Sequence, residues 1–311
     1  MNTVSRTVDQ ADTLRLISGT RTRQIPVSLS IPCRETAGSD VRVISVTSGK
    51  GGVGKSSVVV NLAISLANQG KRVLVIDADL GLGNIDLMLG LKPVHTMNDV
   101  FCGIKRLADI IVDGPGGIRI IPAGSGVQRY TSLDSQERLL LMDELESLDE
   151  RFDVIIVDTE SGISENVTYF NVAAQEILVV VSPDPTSIAD GYALIKLLAT
   201  IHQERRFMVL VNMAADSGEG LNVFDKLSQV ASRFLDISID YIGCVVRDDR
   251  LLDAVRRQKP VVELYPRTAA SHCFAALAQQ LCERPVVNRV KGNIQFLFRK
   301  YYDPAPLVRT L

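Results

Sequence analysis

Val41-Arg42-Val43-Ile44-Ser45-Val46-Thr47-Ser48-Gly49-Lys50-Gly51-Gly52-Val53-Gly54-Lys55-Ser56-Ser57 runs from an apolar stretch through a glycine-rich turn into a second apolar stretch. The pattern predicts a strand at 42–47 and a helix at 54–69, joined by a loop that reads Gly-x4-Gly-Lys-Ser from Gly49 to Ser56. Glycines in such a loop let backbone N–H groups turn inward and approach phosphate oxygens closely. The helix N-terminus adds its positive end. Lys55 offers a point charge to β- and γ-phosphates, and Ser56 a hydroxyl to Mg²⁺. With glycine at ~7% of residues, a chance match in a chain of this length is on the order of one in a hundred. The setting between strand and helix is the one the motif demands. An unliganded glycine turn is the weaker reading.

Outward from the loop, the alternation of apolar run, turn and helical pattern repeats. Strands are expected at 42–47, 72–77, 118–121, 153–158, 176–182, 206–212 and 239–246. Most are short Val/Ile/Leu runs without polar alternation, as in strands buried on both faces. Helices are expected at 54–69, 134–150, 165–174, 185–203, 219–235 and 268–283. Asp134 with Glu137 forms a capping box, and Asp184-Pro185 sets a cap before a proline at the first helical position. Strands alternating with helices give an α/β fold, a doubly wound, mostly parallel sheet with helices on both faces.

Flanking segments differ from this core. Residues 1–17 hold one short periodic piece around Val8, Ala11 and Leu14, too short to be a stable helix alone. Residues 18–40 read as a flexible linker broken by Pro26, Pro32 and Gly38, residues 41–285 as the α/β domain, and 286–311 as a basic tail. In the tail, Val287, Val290, Ile294, Leu297, Phe298 and Tyr301 share one face of a helix, while Arg289, Lys291, Arg299 and Lys300 supply only positive charge. That composition suits an interfacial helix on an anionic membrane leaflet. A helix packed on the domain's own core is the alternative.

Composition sets limits on function. With 46% hydrophobic and 23% charged residues the chain is an ordinary globular one. A net charge of -2 argues against a broad nucleic-acid-binding face. Five scattered cysteines with no C-x-x-C pair argue against disulfides and zinc and for a reducing cytoplasm. No signal peptide is expected, and no apolar run reaches the ~20 residues that span a bilayer.

Carboxylates and an amide follow three of the expected strands. Asp77 and Asp79 stand two apart at the end of strand 72–77, on one side of an extended segment and beside the crevice where such sheets bind ligands. Asp158 closes the run Val154-Ile155-Ile156-Val157, the arrangement that holds Mg²⁺ directly or through water. Asn212 ends strand 206–212 and offers one donor and one acceptor.

The form Lys50-Gly51-Gly52-Val53-Gly54-Lys55-Ser56 resembles the deviant phosphate loop of the MinD/ParA/nitrogenase-iron-protein superfamily. That resemblance implies an ATPase with ATP and Mg²⁺ bound by Gly49, Lys50, Gly51, Gly52, Val53, Gly54, Lys55, Ser56, Ser57 and Asn212. It implies Lys50 reaching across an ATP-bound homodimer to the partner's phosphates, Asp79 orienting the attacking water with Lys50 and Lys55 as the other catalytic residues, and Ser56, Asp77 and Asp158 on the metal side. Asn212 would read the adenine edge, and Gly162 would be the switch II glycine. Members usually carry Gly or Pro and then Ala after Asp-Thr, where this chain has Glu160-Ser161. A carboxylate beside the γ-phosphate would repel it unless turned away.

Within that superfamily, Asp9-Gln10-Ala11-x-x-Leu14-Arg15, the run Pro183–Lys196 and the amphipathic tail resemble the flagellar-number regulators of the FlhG/FleN type. The resemblance implies that Asp9, Gln10, Leu14 and Arg15 activate a signal-recognition-type GTPase, FlhF, with Gln10 acting in trans. It also implies reversible attachment to the inner face of the cell membrane through Val290, Ile294, Leu297, Phe298 and Tyr301. Flagellar C-ring components or a flagellar transcription regulator stand as further candidate partners. A MinD-like division-site selector and a ParA-like DNA-partition ATPase remain open alternatives. An electron-transfer iron protein would need cysteines after the switch motifs, and none stands between Cys102 and Cys244.

Overall fold

The computed structural model describes residues 41–124 and 133–286. The candidate N-terminal helix, with Asp9, Gln10, Leu14 and Arg15, the linker, and the tail residues Val290, Ile294, Leu297, Phe298 and Tyr301 lie outside the described residues.

Every residue of β1 (Arg42–Ser48) is buried, because helices cover both of its faces and sheet neighbours both of its edges. The other strands are β2 (Val73–Ala78), β3 (Val112–Asp113), β4 (Arg119–Ile121), β5 (Val154–Ser161), β6 (Glu176–Val181), β7 (Arg206–Ala214) and β8 (Ser238–Val246). They form one sheet in the order β3-β4-β2-β5-β1-β6-β7-β8. All neighbours are parallel except β3, which runs antiparallel to β4. The seven expected strands are therefore present, and the two-residue β3 is an addition. From β1 the chain moves past β5 to β2, and from β5 it later crosses β1 to β6. That reversal opens a crevice at the C-terminal end of β1, where ligands bind in sheets of this kind.

Helix α1 (Lys55–Ala67) follows the glycine loop and is buried almost all round, because it lies between the sheet and the last helix. Two short helices, α2 (Ile85–Met88) and α3 (Met97–Phe101), follow β2, and α4 (Leu107–Ile110) precedes β3. Next come α5 (Ser135–Glu146), α6 (Glu165–Ala173), α7 (Pro185–Ile201) and α8 (Ser217–Phe234), then α9 (Asp249–Arg256), α10 (Val261–Leu264) and α11 (Ala269–Glu283). On one face, α1 and α11 pack Ile64 and Leu66 with Phe274, Leu277 and Leu281. On the other, α5 and α6 cover β2 and β5, while α7 and α8 cover β6 and β7.

Helix starts match the sequence expectation in chemistry as well as place. Asp134 accepts from the N–H groups of Gln136 and Glu137 at 2.8 Å each, and the Glu137 carboxylate accepts from the Asp134 N–H at 2.9 Å. Asp184 accepts from the Thr186 N–H at 3.1 Å, with Pro185 opening α7. The expected helix 134–150 stops at Glu146, where the Ser147 hydroxyl turns onto the Glu144 carbonyl at 2.8 Å.

At the opposite end of the sheet from the crevice, Arg42 is buried and binds the carboxylate of Glu176 at 3.2 Å. Its guanidinium also donates to the carbonyls of Leu281, Arg284 (2.8 Å) and Pro285 (3.1 Å). A helix C-terminus leaves its last carbonyls without intrahelical partners. Arg42 supplies them, tying the end of α11 to the first strand.

Candidate functional site

The loop from Gly49 to Gly54 rises out of β1 into α1, and its shape depends on absent side chains. Gly52 and Gly54 have φ of +83° and +81°, conformations an L side chain rarely adopts. A Cβ on Gly49 would lie 2.1 Å from the Asp190 carbonyl oxygen, and one on Gly54 would lie 2.4 Å from Asn212 Nδ2. That second approach has a purpose. Asn212 Nδ2 donates to the Val53 carbonyl at 2.8 Å, so the end of β7 holds the loop in place. Sequence reasoning assigned Asn212 to a base edge alone; here one of its amide donors is spent on the loop backbone.

Two lysines bracket the loop. Lys55 Nζ bonds Asp158 Oδ1 at 2.6 Å, with side chains only 8% and 1% exposed. Lys50 Nζ engages the Asp184 carboxylate and the Thr186 hydroxyl at the start of α7, within its own chain. Lys50 holds the Asp184 carboxyl below its ordinary range, helped by the Thr186 hydroxyl and N–H.

Beside Lys55 lies a group of carboxylates. Asp77 accepts from the N–H groups of Asp79 and Ile85, each at 3.2 Å. Burial, and then the charge of Asp158, push Asp77 up to about 8. Asp79 accepts from the Leu82 N–H at 3.1 Å, and burial raises its carboxyl. Glu160 is turned onto Ser164, whose hydroxyl donates to Oε2 at 2.9 Å; burial raises this carboxyl too. Gly162, at φ +102°, donates its N–H to the Ser48 carbonyl at 2.8 Å, closing the segment after β5 onto the base of the loop.

A cavity of about 470 Å³ runs along the loop, bounded by Gly51 to Ser57, Asp79, Asn212 and Met213. Its far wall comes from residues that sequence reasoning missed: Arg247 beyond β8, and Leu251, Leu252 and Val255 of α9. Leu252 is 52% exposed and Val255 36%. Apolar side chains on a cavity wall, left uncovered by the core, suit the flat face of a nucleobase.

The residues present fit a nucleoside triphosphate with Mg²⁺. Ser57 Oγ is buried without a hydrogen-bond partner, and it lines the cavity at the foot of α1, where a phosphate oxygen would satisfy it. Among the described residues no cluster of three His, Cys, Asp or Glu side chains forms a metal cage. Mg²⁺ typically needs none, because it is held by one or two carboxylates together with substrate phosphates. Ser56 lines the same cavity, and Asp158 sits beside it on Lys55.

A profile of the AAA domain family matches residues 41–210. With the doubly wound sheet and the two-lysine loop, this places the chain in the MinD/ParA class of P-loop ATPases, and it belongs to that family. It is 46% identical over 260 residues to the antiactivator FleN of Pseudomonas aeruginosa, across 84% of this chain and 93% of that one. It is 32% identical over 246 residues to the flagellum site-determining protein YlxH of Helicobacter pylori, across 79% and 83% of the two chains. Among solved structures, the MinC:MinD cell division complex of Aquifex aeolicus superposes with a TM-score of 0.64 at 27% identity, over 80% of this chain and 99% of that one. The protein is a MinD-like ATPase with a regulatory role. Among its described residues no helix is long and apolar enough to cross a membrane.

Proposed function

We propose that the chain is an ATP-driven switch that sets flagellar number or placement by alternating between a monomer and an ATP-bound dimer at the membrane. The observation that carries this reading is the second loop lysine. Lys50 stands at the mouth of the phosphate loop, on an exposed ion pair that a partner's phosphates could replace. The relatives called antiactivator and flagellum site-determining protein direct the reading toward flagella.

In this account Gly49 to Gly54 and Lys55 cradle the phosphates, with Ser57 on a phosphate oxygen, and Asn212 and Met213 border the base. Ser56, Asp77 and Asp158 serve Mg²⁺. Asp79 positions the attacking water, and Gly162 senses the γ-phosphate. The basic amphipathic tail, Val290 to Tyr301, binds an anionic surface at about 1 kcal/mol per basic residue. One tail binds weakly and two on a dimer bind far better, through effective concentration. Output goes through Gln10, flanked by Asp9 and Arg15 and anchored by Leu14, to a signal-recognition-type GTPase of the FlhF kind. A side-chain amide can orient an attacking water there.

The test is GTP turnover by FlhF with and without the chain. Stimulation should vanish in Gln10→Ala while ATP hydrolysis persists, and a peptide of residues 1–20 should stimulate by itself. A GTPase that responds equally to parent and Gln10→Ala protein would remove the flagellar output. Retention of the ATP-loaded chain on nonspecific DNA would instead favour a partition ATPase.

A further inference from the structure

The register between β2 and β5 pairs Asp77 with Asp158 and Ala78 with Thr159. Asp79 follows directly on the end of β2, and Glu160 is the next residue of β5. The pairing of β5 with β1 shifts by one residue between Asp158 and Ser161, so the direction of the Glu160 side chain is set by its own contacts rather than by strand alternation. Glu160 feels the charges of both Asp79 and Lys55, so this carboxylate lies within the nucleotide site's own field. It is also held. Ser164 donates its hydroxyl to Glu160 Oε2 at 2.9 Å, while the same oxygen of Ser164 accepts from the Val167 N–H at 3.3 Å and caps α6. A carboxylate anchored by one oxygen to a helix cap is pre-oriented, and it is kept from swinging onto the phosphates.

We propose that Glu160 is a second water-positioning residue for ATP hydrolysis, acting beside Asp79. This rests on the reading of Asp79 given above. One carboxylate fixes one O–H direction of a water, and a second acceptor alongside it fixes the other. The oxygen lone pair is then aimed at phosphorus. Orientation of this kind is worth large factors in rate, because a misplacement of about 1 Å can cost ~10²-fold. The reaction itself is unchanged. The water oxygen bonds to the γ-phosphorus as the bond to the bridging oxygen breaks, and the water's proton leaves with inorganic phosphate. Ser164 is a positioning residue that acts through Glu160.

Glu160→Gln tests the role with little change of shape, because its amide oxygen still accepts from Ser164 while its NH₂ replaces an acceptor with donors. In the full-length chain with Mg-ATP, kcat should fall at least about tenfold, with KM for ATP and the melting temperature unchanged. Asp79→Asn should also slow hydrolysis. The double variant should fall no further than the slower single, as expected of residues that act as a unit. Parent kcat in Glu160→Gln would overturn the proposal. So would a loss accompanied by a raised KM and a lowered melting temperature, which would mark Glu160 as a structural tether of α6. Parent kcat in Asp79→Asn together with a slow Glu160→Gln would overturn the role of Asp79 and leave Glu160 as the water-positioning carboxylate.

Discussion

Lys50 and Asp184 form an ion pair within one chain, joining the phosphate loop to the first turn of α7. Asp184 meanwhile caps that turn through the Thr186 N–H. A lysine that must serve a partner's phosphates first has to leave this pair. Asp184→Asn keeps an oxygen for the cap and removes the charge. The variant should form the ATP dimer at lower protein concentration than the parent, measured by sedimentation across a dilution series. A weaker dimer would mean that Asp184 steers Lys50 toward the partner.

Asn212 and Gly54 are in contact, so each should control the loop as well as the base. Asn212→Ala removes the bond to the Val53 carbonyl, a buried hydrogen bond worth about 1 kcal/mol net. ATP affinity should fall by roughly tenfold, a factor that corresponds to about 1.4 kcal/mol. Gly54→Ala should lose nucleotide binding altogether, because its methyl would meet the Asn212 amide and its backbone is left-handed. Isothermal titration with a non-hydrolysable ATP analogue reads both.

Strands and glycine loop were legible in the sequence because both carry local signals. Runs such as Val154-Ile155-Ile156-Val157 are apolar on both faces, and the loop's spacing is set by contact with phosphate. Helices of four or five residues, α2, α3, α4 and α10, span too little chain to show a helical period. The pairing of β3 with β4 rests on two residues. α9 was within reach: Leu251, Leu252, Ala254 and Val255 are clustered in eight residues, and Leu252 and Val255 face the cavity rather than the core. Lys50's partner and Asn212's second task depend on residues more than a hundred positions away, which no local pattern encodes.

Arg42 reads in sequence as a polar interruption of a strand, yet it holds three carbonyls at the end of α11 and a buried carboxylate. Removing one partner of a buried pair costs about 3–5 kcal/mol, because the other charge is left uncompensated. Arg42→Ala should lower unfolding free energy by an amount of that order, measured by urea denaturation. ATP affinity should hold near the parent value, since the site lies at the other end of the sheet.

Asp77 gives the nucleotide-free protein a pH dependence of definite sign. Its folded value, about 8, lies above its ordinary value of 3.8, so the native state binds the proton more tightly than the unfolded chain. The resulting contribution to stability is complete below about pH 4 and is lost as pH rises toward 8. Melting temperature without nucleotide should therefore decline from pH 6 to pH 8.5. Saturating Mg-ATP should flatten the decline by placing positive charge beside Asp77 and Asp158. A nucleotide-free melting temperature that rises across this range would contradict the burial of an uncompensated carboxylate.

Sedimentation velocity of the full-length chain with Mg²⁺ and a non-hydrolysable ATP analogue, compared with Mg-ADP, tests the switch most directly. The parent should sediment as a dimer with the analogue and as a monomer with ADP, and Lys50→Ala should remain a folded monomer in both. A dimer in Lys50→Ala with the analogue, or a parent whose mass ignores the nucleotide, would contradict the account.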